Sequence, residues 1–280
     1  MPFSSDPALQ METTERIRPV KIFFGGGRPS LRRALEDLST VELTVEPLEA
    51  DCLLVDLASL TPAQHAECLR YPLIPDLPLI VISAQGVDGA IDDNPYLEEV
   101  ARGEALALST RPDCCVLRCS PMDADLDQVI HQVLSYSAAY GCFGPSPVAW
   151  LTVADLADLI RKLTDVPTLR DGRIYEVAGQ EGVSLPDLVN QLTERLKVRA
   201  EYYELTPGQV VSALCSSVGW DLDTALRVPH HQQWVGSPKQ TSGIVERALG
   251  RPPRPLDLTR LIAASTANSP GIPVDAHSSR

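Results

Sequence analysis

The stretch KIFFGGGRPSLRRAL, residues 21–35, runs from an apolar segment through three glycines into a pattern of helical period. A strand, a glycine turn and a helix in that order open many parallel sheets, and the turn between them is where such sheets cradle a phosphate. Gly25 and Gly27 stand where the backbone must turn sharply and then approach a pyrophosphate, with Gly26 between them. Ser30 stands where a third small residue lets the helix close on the strand. Arg28 is a cation within reach of a phosphate, whereas Pro29 suits a first helical turn but offers no N–H. The stretch therefore supports two readings: a working cradle for a dinucleotide, or a structural turn that holds no ligand.

Working outward, VKIFF (20–24), VELTV (41–45), DCLLVDL (51–57), LPLIVIS (77–83) and DCCVLRC (113–119) read as strands. Several are apolar on both faces, as strands covered by helices on either side must be. Helical patterns fall at 30–38, 61–70, 94–109 and 124–138. Alternation of this kind predicts an α/β doubly wound, Rossmann-like parallel sheet with right-handed crossovers. After residue 140 the rhythm loosens. VAWLT (148–152) and RIYEVAG (173–179) are strands. VADLADLIRKLTD (153–165) is a helix with Thr152 as N-cap, Asp155 at its third position and a buried stripe at Val153, Leu156, Ala157 and Ile160. LPDLVNQLTERL (185–196) is another helix, AEYYEL (200–205) a strand, and 207–218, 221–235 and 238–249 are helices of a small C-terminal α+β cap. The expected divisions are loose termini at 1–18 and 266–280, a Rossmann-like domain over 19–147, and the remaining strands with the cap over 148–265.

The 280 residues are 44% hydrophobic and 22% charged, which is ordinary for a globular chain, and the net charge is −13. That acidity argues against nucleic acid as a partner, since a phosphate backbone needs a basic face. No apolar run approaches the roughly 20 residues of a membrane span, and the first residues carry neither the basic lead nor the apolar core of a secretory signal. Seven cysteines without a CxxC pair fit reduced thiols and a cytoplasmic setting. The five histidines are scattered, so no metal site is expected.

Four segments carry a family resemblance: CCVLRCSPM (114–122), AWLTVADLADLI (149–160), GRIYEVAGQEGVSLPDLVNQL (172–192) and VERALGRPPRPL (245–256). In order and spacing they resemble the NmrA-like branch of the atypical short-chain dehydrogenase/reductases, in particular the festuclavine-dehydrogenase type. The resemblance implies an oxidoreductase acting on a small metabolite with NADP or NAD, bound by Gly25, Gly26, Gly27, Arg28 and Ser30. Glu46 would then accept hydrogen bonds from the adenosine ribose. Ser83 falls where the superfamily keeps a catalytic-site serine, and Arg102 where the branch has a lysine; both are candidate catalytic residues on that basis.

Two departures bear on this. Between the first helix and DCLLVDL there is room for one strand and a short turn, so one β-α unit and part of the adenosine wall are expected to be missing. No Tyr-x-x-x-Lys pair exists: Tyr96 is followed at that spacing by Val100. Arg102 stays charged and cannot relay a proton. The stretch DCLLVDLASL…LIPDLPLIVISAQG (51–86) also resembles the middle of a response-regulator receiver with Asp56 at the phosphoacceptor position, but Gly25, Gly26 and Gly27 replace the acidic pair that would hold its magnesium.

By position at the strand ends or under the cap, Gln85, Met122, Tyr140, Phe143 and Trp150 are candidate substrate-pocket residues, and His230, His231 and Trp234 form a candidate lid. Three functions remain open: an NAD(P)H-dependent reductase, a cofactor-independent cyclase or isomerase on a degenerate fold, and a non-catalytic NAD(P) sensor. The expected partners are a small-molecule substrate and further copies of the chain, not nucleic acid or membrane.

Overall fold

The computed structural model describes residues 18–69, 77–88, 94–170, 172–180, 182–235 and 243–267. The loose termini expected at 1–18 and 266–280 lie almost wholly outside these residues, as do 236–242 within the expected helix over 238–249.

The central sheet holds β1 (Val20–Gly25), β2 (Val41–Thr44), β3 (Cys52–Asp56), β4 (Leu79–Ala84), β5 (Cys115–Cys119) and β8 (Ile174–Val177). Its order is β2-β1-β3-β4-β5-β8, and every pairing is parallel. β3 and β4 are buried along their whole length, which explains their unbroken apolar sequence: helices cover both faces. On one face α1 (Pro29–Glu36), α5 (Val153–Asp165) and α9 (Ile244–Leu249) pack Leu31, Leu35, Leu156, Ile160 and Val245 against Ile22, Leu54, Ile80 and Leu117. On the other, α3 (Pro95–Thr110), α4 (Asp127–Tyr136) and α6 (Leu185–Leu196) pack Val100, Ile130, Val133 and Leu188 against Leu53, Val55, Val81 and Val116. Each such leucine, isoleucine or valine contributes roughly 1.5–3 kcal/mol over its exposed state.

Helix ends follow local chemistry. Thr152 Oγ1 accepts from the N–H of Asp155, as its position predicts. Thr61 forms a reciprocal capping box with Gln64 at the start of α2 (Pro62–Cys68). Between β2 and β3 lies only a 3-10 turn, Pro47–Glu49, and β2 is the edge strand of the sheet.

The cap adds two small pairs. β6 (Ala138–Gly141) lies parallel to β10 (Glu201–Glu204), and β7 (Val148–Ala149) antiparallel to β9 (Gly182–Val183). It also holds α7 (Pro207–Ala213), continued as a π-helical turn, and α8 (Leu222–Val235), which packs against α7 and α3. Several elements differ from the sequence reading, which expects neither β6 nor β9. The helix expected over 124–138 ends at Tyr136, because Ser137 takes the left-handed conformation and the chain enters β6. A final helix, α10 (Leu258–Ala267), follows the GRPPRPL segment; its Leu258 and Leu261 are buried.

Candidate functional site

The glycine turn leaves β1 at its carboxyl end, beside the end of β3. A side chain at Gly26 would lie 2.8 Å from the Phe24 ring and 3.0 Å from Asp56 Cβ, so the Phe24 ring and the end of β3 together leave little room for one there. None of Gly25, Gly26 and Gly27 has a positive φ. The Gly27 N–H donates to Ser59 Oγ at 3.3 Å, and that hydroxyl donates to the Asp56 carbonyl at 3.1 Å. The turn is thus tied to the segment after β3.

Arg28 is the N-cap of α1, with extended backbone and Pro29 as the first helical residue. Its side chain runs inward across the strand ends and is only 12% exposed. Nε lies 3.2 Å from Oδ2 of Asp56, whose side chain is 0% exposed, and Nη1 donates to Met122 Sδ at 2.8 Å. Neither carboxylate oxygen of Asp56 has a hydrogen-bond partner among the described residues, so Arg28 supplies the charge that compensates it. Burial pulls the guanidinium's pKa down, but Asp56 and then Asp125 overcome this and hold it above its ordinary value. The Tyr96 phenol is pushed up by burial, against the opposing effect of Arg28. Its hydroxyl donates to the Ala58 carbonyl at 3.3 Å.

Beside this cluster is a cavity of about 550 Å³ between the 57–61 turn, the start of α4 and the cap. Tyr96, Phe143, Trp220 and Val228 give it an apolar and aromatic wall, while Asp125, Asp127, Arg227 and His231 add charge and proton-transfer groups. The His231 ring meets the Tyr96 ring edge-on at 5.2 Å. The contacts that hold α8 over the cavity include Trp234 Nε1 to the Gln85 carbonyl at 2.9 Å, Asn94 Nδ2 to the His230 carbonyl at 3.1 Å, and Arg227 to Glu99 at 2.5 Å. The expected lid, His230, His231 and Trp234, therefore closes on α3, with His231 reaching the cavity.

The candidate residues divide between this region and elsewhere. Arg28 and Met122 meet in the buried cluster, and Phe143 lines the cavity. Ser83 does not reach it. Its hydroxyl donates to Glu104 Oε2 at 2.6 Å, and Glu104 pairs with Arg118 at 2.7 Å, so the serine belongs to a polar network beneath α3. Arg102 is 74% exposed on α3, pairing with Glu98 one turn away, because its helical position turns it to solvent. Gln85 is buried and holds the cap through its backbone. Tyr140 stacks on Tyr203 at the surface, ring centres 5.3 Å apart. Trp150 is buried and donates to the Val183 carbonyl at 3.1 Å. Ser30 lines a separate cleft of about 390 Å³ between α1, α5 and α10. Glu46 is exposed in the turn after β2. Sequence reasoning missed Asp125 and Arg227 as cavity residues, since neither lies in a recognisable motif. Asp56 did carry a signal: a charge ending a strand otherwise fully apolar must be buried with a partner.

A nicotinamide dinucleotide needs the turn and the α1 N-terminus open for its diphosphate. Here Arg28 fills the space over the strand ends, Gly27 has given its N–H to Ser59, and Pro29 has none to give. The cavity wall includes none of the three glycines. The sheet ends at β2, and only a 3-10 turn joins it to β3. The residues present do not fit the dinucleotide in this arrangement. Among the described residues no helix is long and apolar enough to cross a membrane, and no group of three or more His, Cys, Asp or Glu is placed to hold a metal.

No protein-family model matches the chain, and no curated protein matches it. Solved structures do resemble it. An NADPH-dependent quinone oxidoreductase from Escherichia coli, in complex with NADPH, superposes with a TM-score of 0.70 at 15% identity, over 89% of this chain and 99% of that one. A triphenylmethane reductase from Citrobacter sp., complexed with NADP(H), gives 0.67 at 13% identity over 88% and 99%. A nucleoside-diphosphate-sugar epimerase from Staphylococcus aureus gives 0.67 at 11% identity over 85% and 98%. At these identities the shared property is the fold: the chain has the Rossmann-like α/β architecture of NADPH-dependent oxidoreductases and sugar-nucleotide epimerases.

Proposed function

We propose that the chain binds a small, largely apolar organic molecule in the cavity under α8 and rearranges it by proton transfer, as an isomerase or cyclase does, without a nicotinamide cofactor. The observation that carries this reading is the cavity. Its volume of about 550 Å³ lies within the range that holds small ligands. It opens near the carboxyl ends of the strands, where open α/β sheets place their substrates.

Tyr96, Phe143, Trp220 and Val228 would hold the substrate by shape and fix its conformation, and orientation alone can lower a barrier substantially. An imidazole is well suited to give and take a proton near neutral pH, which makes His231 the group to move one. Asp125 or Asp127 would serve as its acidic counterpart. A proton removed at one atom of the substrate and returned at another leaves no net change of oxidation state, so no hydride donor is needed.

A second reading, an NAD(P)H-dependent reductase of a small metabolite, is favoured by the fold shared with an oxidoreductase solved with NADPH. It requires Arg28 to leave the strand ends.

The cavity is tested by titrating apolar aromatic probes while following tryptophan emission, since Trp220 lines the wall. Binding is expected to quench that emission, and Val228→Trp, which puts a bulky ring into the cavity wall and narrows it, is expected to weaken affinity by at least about tenfold. Equal affinity in the narrowed variant would remove the cavity as the working site. Nucleotide found bound to the purified chain would favour the reductase.

A further inference from the structure

We propose that Arg28 occupies from within the place where this architecture otherwise seats a diphosphate, and that its pairing with Asp56 is what excludes NAD(P) from this chain. The inference rests on the reading above that the cavity works without nucleotide, and it is tested by a separate readout.

Arg28 alone would favour a phosphate. It stands at the start of a helix whose first N–H groups and dipole attract anions. Asp56 reverses that preference. The carboxylate is fully buried, has no hydrogen-bond partner among the described residues, and sits 3.2 Å from the Arg28 guanidinium. The two charges cancel locally, so an incoming anion meets no net positive site. A diphosphate would also have to displace the guanidinium from Asp56 and Met122. Asp56 would then be left buried, without its counter-charge and close to further negative charge, which is the costly way to break a buried pair. The exclusion is therefore steric and electrostatic together. Trimming Arg28 alone removes the obstacle but keeps the repulsion.

The test compares the wild-type chain, Arg28→Gly, and the double variant Arg28→Gly/Asp56→Asn, each first shown folded by circular dichroism. Calorimetry and nicotinamide fluorescence follow titration with NADPH and NADH to millimolar concentration. The wild type and the single variant are expected to bind neither. The double variant is expected to bind with a Kd at least about tenfold below the millimolar limit of the titration. Saturable NAD(P)H binding by the wild type would overturn the proposal. A folded double variant with no gain would also overturn it, by showing that the pair is not the barrier. An equal gain in the single variant would remove Asp56 from it. Quenching of Trp220 by cavity probes reports on the proposed function independently of all three outcomes.

Discussion

Arg28→Met is expected to lower the unfolding free energy by about 3–5 kcal/mol, because it leaves a fully buried carboxylate without its counter-charge. For a chain of this size that corresponds to a fall in Tm of roughly 6–20 °C. The direct gain from the pair itself is a different quantity. Two charges taken out of water lose much of their hydration, and their mutual attraction only partly offsets that loss. Arg28→Met/Asp56→Leu, which removes both charges while keeping bulk, is accordingly expected to lie within about 2 kcal/mol of the wild type. Urea denaturation of the two variants decides the matter. If the single substitution cost less than about 1 kcal/mol, Asp56 would be compensated by something other than Arg28, and the electrostatic argument for nucleotide exclusion would lose its basis.

How far the sequence led to this point depended on which interactions were local. The central strands were legible because burial on both faces forces unbroken apolar runs, as in CLLVD and LIVISA. The shortened connection between β2 and β3 was legible from spacing alone. The Thr152 cap was legible because donor and acceptor lie three residues apart. β6 was not: four residues, AAYG, carry no alternation, and their strand character comes from β10 more than 60 residues away. The direction of Arg28 was not legible either. An arginine after three glycines can reach outward to a phosphate or inward to a carboxylate, and only the fold places Asp56 beneath it. Ser83 shows the converse, since its position suggested chemistry while the pleat turned its hydroxyl toward Glu104 and α3. Positions that depend on side-chain direction at strand ends were therefore the least readable.

The GRPPRPL segment that entered the family resemblance has a physical role that yields the second large effect. Asp155, on the buried face of α5 with 0% side-chain exposure, receives Arg251 Nη1 and Arg254 Nη1, each at 2.7 Å. The Arg254 backbone N–H also donates to it at 2.7 Å. The aspartate thus anchors the chain between α9 and α10. The two sides of this contact are not equivalent. Asp155 is buried, while the Arg251 and Arg254 side chains are 34% and 44% exposed. Arg251→Met/Arg254→Met leaves the carboxylate buried with a single backbone donor and is expected to cost about 3–5 kcal/mol. Asp155→Ala leaves two arginines that water can reach and one orphaned N–H, and is expected to cost only about 1–3 kcal/mol. Thermal unfolding of the two variants measures that order directly. The reverse order would mean that the anchor depends on packing of the aspartate rather than on neutralising it, and the same logic would then weaken the case built on Arg28 and Asp56.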